Sequence, residues 1–188
     1  MDPAGDEIRD FIARFLTAIA DGDQEMAESM FEGGRVESLM LRMLIEASSA
    51  GNDIGAAANA TFPNDPKLER LPMSVAARLR AKVERMRGYE PVIVGRARDG
   101  GRYASSAPLL PFYRSLELLE REGRWQVVSF DLANREASQI AEALSNNARS
   151  ARDVAAKLRA GRYASIDVAI ADLEDGYGRS MPPPRPVY

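Results

Sequence analysis

Apolar residues in this chain recur at helical spacing up to about residue 87 and again beyond residue 136, while the block between Tyr89 and Leu132 has strand character. This switch of period constrains the fold more than any other feature. It predicts an α+β chain in which helices flank an antiparallel sheet.

Ile8, Phe11, Ile12, Phe15, Leu16 and Ile19 form one stripe over residues 6–21, opposite Arg9, Asp10 and Arg14. Gly22 suits the position after that helix, and Asp23 suits the cap of a second helix over 24–32 that stops at Gly33-Gly34. Val36, Leu39, Met40, Met43, Leu44 and Ala47 predict a third helix over 36–50, ended by Gly51. The following stretch, 51–72, holds Gly51, Gly55, Pro63, Pro66 and Pro72 and reads as a long loop or insert. Residues 74–87 fit a helix through Val75, Leu79, Val83 and Met86, yet Ala77, Leu79, Ala81 and Val83 also alternate as in a strand. Ser74 and Gly88, suited to the two caps, favour the helix.

Strands are expected in the Tyr89–Ala97 run, which holds Val92-Ile93-Val94, and over Phe112–Arg121 and Arg124–Leu132. Glu122-Gly123 joins the last two as a two-residue hairpin, and Asp99-Gly100-Gly101 is turn material, so the strands form a meander. Further on, Ala137, Ala141, Leu144, Ala148, Ala151, Ala155 and Leu158 make a seam of small residues that lets another helix approach closely. Ser145-Asn146-Asn147 is a candidate interruption and Ser150-x-x-Asp153 a capping-box-like restart. A last helix would start after Ser165 and stop at Gly176-Tyr177-Gly178, before the proline-rich tail 177–188. That tail holds Pro183-x-x-Pro186, the minimal motif for an SH3-type groove, but Arg185 is not at the favoured flank and a frayed terminus is expected.

At 188 residues the chain has room for one domain with an appendage, or for two small ones. It contains no cysteine and no histidine. Disulfides, Cys/His zinc sites and histidine base catalysis are therefore excluded, leaving Asp, Glu, Lys and Tyr for acid–base work. The acidic start, Met1-Asp2-Pro3-Ala4-Gly5-Asp6-Glu7, is not a signal peptide, and no run of about 18 apolar residues could span a membrane. A cytoplasmic protein is expected. A net charge of −3 does not suit general nucleic-acid binding.

The segment Phe15-Leu16-Thr17-Ala18-Ile19-Ala20-Asp21-Gly22-Asp23, with Phe31 following, resembles the opening of NTF2-like proteins, the superfamily of the SnoaL-like and ketosteroid-isomerase-like proteins. Gly123-Arg124-Trp125-Gln126-Val127-Val128-Ser129-Phe130-Asp131-Leu132 resembles their closing strand. The resemblance covers about residues 6–32 and 89–132; residues 33–88 depart from the family's layout and 133–188 lie beyond it. It implies a curved sheet wrapped around helices as a cone, often with a pocket and frequently dimeric. The expected organisation is an NTF2-like α+β domain over 1–132, a helical arm over 133–176 and the tail. Val154 to Glu174 is similar to the helical part of ParD-like antitoxins, but the DNA-reading ribbon that should precede it is absent.

Strand alternation places Trp125, Val127, Ser129 and Asp131 on one face, and Tyr113, Ser115 and Glu117 together on the neighbouring strand. Tyr113, Ser115, Glu117, Trp125 and Asp131 are thus the candidate pocket; converging Tyr113, Glu117 and Asp131 could act as donor, acid and base without histidine. Arg78, Arg80, Arg96, Arg98 and Arg102 are a candidate anion-binding surface. Ala141, Leu144, Ala148, Ala151 and Leu158 are a candidate partner face. Neither a phosphate loop nor a metal-binding pattern is present, and no cofactor is expected. The functions expected are a non-catalytic, dimeric NTF2-like module for a small apolar ligand or a protein partner; a histidine-free isomerase, hydratase or cyclase; or a regulatory protein whose C-terminal helices bind a partner.

Overall fold

A computed structural model describes residues 3–88, 92–96, 101–106, 113–132 and 137–180, with residues 3, 4, 113, 114, 131, 132 and 178–180 described by their backbone alone. The first apolar stripe forms helix α1 (Pro3–Asp21), and all six of its predicted core residues are buried. The chain turns at Gly22, and the Asp23 carboxylate accepts a hydrogen bond from the Met26 amide at 3.0 Å, starting α2 (Gln24–Ser29).

Helix α3 (Arg35–Thr61) runs straight through the predicted stop at Gly51, which corrects the loop expected from residue 51. The reason is packing. A Cβ on Gly51 would lie 2.5 Å from Ser74 Cβ, so this glycine is where the start of the next helix crosses α3. The alanines after it are strong helix formers and continue the helix. A 3₁₀ turn over Pro66–Arg70 follows, and then α4 (Val75–Arg87). Of the two alternatives for 74–87 the helix forms, with Ser74 Oγ accepting from the Ala77 amide at 3.2 Å.

Strands β1 (Val92–Arg96), β2 (Arg102–Ser106), β3 (Tyr113–Arg121) and β4 (Arg124–Leu132) pair antiparallel in the order β1-β2-β3-β4, the expected meander. Strand β2 has no counterpart in the sequence reading. Glu122 and Gly123 turn the hairpin with φ of 52° and 74°, the left-handed pair of a type I′ turn. Helices cover one face of the sheet, where Ala104, Leu116, Leu118, Trp125, Val127 and Phe130 are buried. Phe31 pairs in parallel with Val127, and the Phe15, Phe31 and Phe130 ring centroids lie 5.6 to 6.5 Å apart.

Helices α5 (Ala137–Arg159) and α6 (Ile166–Ser180) complete the chain. Asn146-Asn147 does not interrupt α5, and Gly176-Tyr177 does not stop α6. A Cβ on Gly176 would lie 2.8 Å from Ser150 Cβ, so this glycine too marks a helix crossing. Arg152 pairs with Glu46 and Arg159 with Asp53, the same seven-residue step on both helices, so α3 and α5 run side by side in one direction. The second half of α3 thereby shares a core with α5 and α6, built on Ile54, Ala58, Ala151, Ala155, Ile170 and Leu173. The first half belongs to the core under the sheet.

Candidate functional site

The predicted pocket residues do not gather on one face. Glu117 is opposite Ser129, but the next pair is Leu118 with Val127, so Val128 is an inserted bulge residue. The bulge reverses the alternation along β4. Trp125 and Val127 face the helices together with Phe130, whereas Ser115 and Glu117 alternate with buried Leu116 and Leu118 and lie on the outer face. The Tyr113 and Asp131 side chains fall outside the described residues; their backbones pair with Leu132 and Ser115. Trp125 is 6% exposed, and its ring carries the Arg102 guanidinium at 5.0 Å from the centroid. Trp125 Nε1 is buried without an acceptor among the described residues.

The candidate anion-binding arginines are dispersed by the contacts they make. Arg80 donates to the Ala20 carbonyl at 3.3 Å and pairs with Asp21 at 2.9 Å, so it closes the C-terminus of α1. Arg78 donates to the Met73 carbonyl at 3.3 Å, and Arg102 pairs with Glu120 at 3.3 Å. Arg96 is exposed on β1, and Arg98 lies outside the described residues.

The candidate partner face is filled from within the chain. Leu144, Ala148, Ala151 and Leu158 are buried, and Ala141 is half-buried. The small residues do let another helix approach, and that helix is α3 of the same chain.

Perturbed acidities lie at helix contacts. The Asp53 carboxyl is held below its usual range by Arg159, and Asp167 by Lys67 and Arg70 of the 3₁₀ turn. Hydrogen bonds to Asp153 at 2.6 Å and Asp172 at 2.9 Å push Lys157 well above its ordinary value. Burial, and then donation to Asp172, raises Tyr163; burial raises Tyr177. Lys157, Asp153 and Asp172 line an open polar groove of about 440 Å³ between α5 and α6, where they satisfy one another. A lysine held charged in this way is neither a nucleophile nor a base. Among the described residues no cluster of carboxylates could hold a metal.

A larger groove of about 710 Å³ follows α1 from Glu7 to Asp21, between α2 and Arg87 at the end of α4. Phe11, Thr17, Ala18, Met26 and Met30 form its apolar part. Phe11, Ala18 and Met30 are buried side chains showing only an edge, whereas Met26 is 51% exposed. Glu7, Asp10, Asp21 and Asp23 stand around it against Arg14 and Arg87. The groove was not anticipated, because Glu7, Asp10 and Asp21 lie on the polar face of α1 and Asp23 reads as the cap of α2. Met26 and Met30, four residues apart beside an acidic helix face, were the signal available in the sequence. No protein-family model, curated protein or solved structure matches the chain, so the site is defined by its own chemistry.

Proposed function

We propose that the chain is a non-catalytic binding module of NTF2-like character, whose working surface is the methionine-lined groove along α1 and whose ligand is a protein. The observation that carries this reading is the half-exposed Met26 set in a 710 Å³ groove with an acidic rim. Flexible thioethers at an exposed surface are characteristic of sites that adapt to a partner. Two further features support it. The two segments that resemble the superfamily meet through Phe15, Phe31 and Phe130, and these rings occupy the space under the sheet where a small ligand would sit. Catalysis of the isomerase kind needs Tyr and acid groups converging in an apolar pocket, and Ser115 and Glu117 sit on the outer face, away from Trp125.

Native mass spectrometry of the protein purified gently from its own host tests the reading. The expected result is a second polypeptide retained by the wild type and lost from a folded Met26→Asp variant. A small molecule retained equally by both would overturn it.

A further inference from the structure

We infer that the groove along α1 takes a basic amphipathic helix of a partner protein; this rests on the protein-docking function proposed above. The first ground is charge. Glu7 and Asp10 make no ion pair among the described residues, and Asp23 is held only by the Met26 amide. Against these three carboxylates the described residues of the groove offer one uncommitted cation, Arg14, because Arg87 pairs with Glu84 at 3.4 Å. An occupant with lysines or arginines beside its apolar stripe would meet complementary charge along the length of α1, which favours the correct partner and speeds encounter.

The second ground is backbone chemistry. The groove is walled by helices, whose backbone groups are already bonded, so among the described residues no strand edge is offered to an extended peptide. A helix brings its own hydrogen bonds satisfied and needs only side-chain contacts. From Glu7 to Asp21 the wall is about 21 Å long at 1.5 Å per residue, room for roughly four helical turns. Apolar anchors at i, i+3, i+4 and i+7 would lie over Met26 and the exposed edges beside it.

The test measures fluorescence anisotropy of labelled peptides against the full-length chain. One peptide of about 18 residues carries leucine at i, i+3, i+4 and i+7 with lysine elsewhere. The second replaces every lysine by glutamate, and the third scrambles the leucine–lysine order. The leucine–lysine helix is expected to bind at least about tenfold more tightly than either control. Glu7→Lys with Asp10→Lys should weaken it about tenfold or more, and Met26→Asp should abolish it. Glu69→Lys with Glu174→Lys, equal in charge but away from the groove, should change it less than about twofold. Circular dichroism confirms that each variant is folded.

Equal weakening by the two charge reversals would reveal unspecific attraction and overturn the inference. Equal affinity for the glutamate peptide, or no binding of the lysine peptide, would also overturn it. If the natural polypeptide is still lost on Met26→Asp while the lysine peptide fails, the docking function stands and the basic-helix assignment falls. A small molecule retained with no peptide bound removes both. A homodimer lost on Met26→Asp would make a second copy the occupant in place of the basic helix.

Discussion

Replacing Gly51 by alanine should destabilise this protein, although the same change in an ordinary helix interior stabilises by about 0.5–1 kcal/mol. The new Cβ would lie 2.5 Å from Ser74 Cβ and 2.9 Å from Ser74 Oγ, inside any relaxed contact. Ser74 cannot simply turn away, because its Oγ caps α4 through the Ala77 amide. Losing that cap costs about 1 kcal/mol, and forcing the two helices apart costs about 1–3 kcal/mol. Set against the propensity gain, the net loss is about 1–3 kcal/mol. Gly55, one turn further along α3, has nothing within 4 Å of its would-be Cβ, so Gly55→Ala should stabilise by the full propensity term. At about 2–4 °C per kcal/mol for a chain of this size, thermal melts followed by circular dichroism would show opposite shifts, downward for Gly51→Ala and upward for Gly55→Ala. Ser74→Gly weakens the cap by only a few tenths of a kcal/mol, and in that background Gly51→Ala should become neutral or stabilising. If Gly51→Ala raises the melting temperature as Gly55→Ala does, the close crossing of α3 and α4 is refuted.

Three further outcomes are expected. Phe130→Ala opens a cavity in the ring cluster with Phe15 and Phe31 and should cost about 3–5 kcal/mol, read from urea unfolding followed by Trp125 fluorescence. Because Arg159 holds the folded-state pKa of Asp53 below its unfolded value, this pair stabilises above the normal carboxylate range and the contribution is lost as pH falls through the folded value. The difference in urea midpoint between wild type and Arg159→Gln should therefore shrink from neutral pH to about pH 3; a constant difference would refute the pairing. Burial raises the pKa of Tyr163 and Tyr177, so their contribution is full below about pH 10 and lost as pH climbs toward the folded values. Ultraviolet titration should show tyrosine ionising above the ordinary range, and Tyr177→Phe should remove one such late step.

Elements whose signals are local were legible in the sequence. The α1 stripe, the Asp23 and Ser74 caps and the Glu122-Gly123 hairpin depend on residues a few positions apart, and each forms where expected. Gly51 and Gly176 were misread as helix ends because a glycine chosen for absent volume looks the same in sequence as one chosen for backbone freedom. Only the facing serines, Ser74 and Ser150, distinguish the two, and neither neighbours its glycine in the chain. Asn146-Asn147 has weak helix propensity, overridden by the burial of Leu144, Ala148 and Ala151 on either side. The bulge at Val128 left no mark on the alternation, so Trp125 and Glu117 were given to one face when they occupy two. The groove was hidden for a related reason: it exists only once the short α2 is laid beside α1, and each helix alone shows an ordinary amphipathic pattern.

The shared ownership of α3 has a consequence for the order in which the protein can be made. Its first half finds partners in α1 and the sheet, whereas Ile54, Ala57 and Ala58 wait for α5 and α6. Thr61 and Leu158, hydrogen-bonded in the finished protein, are 97 residues apart in the chain. At roughly 5–20 residues per second, a ribosome needs about 5–20 s to deliver that cover. Throughout that interval an apolar helix face stands open to chaperones and to neighbouring nascent chains. A polypeptide halted after β4 would keep that face open indefinitely, so α5 and α6 close off an aggregation-prone surface inherited from the first third of the protein.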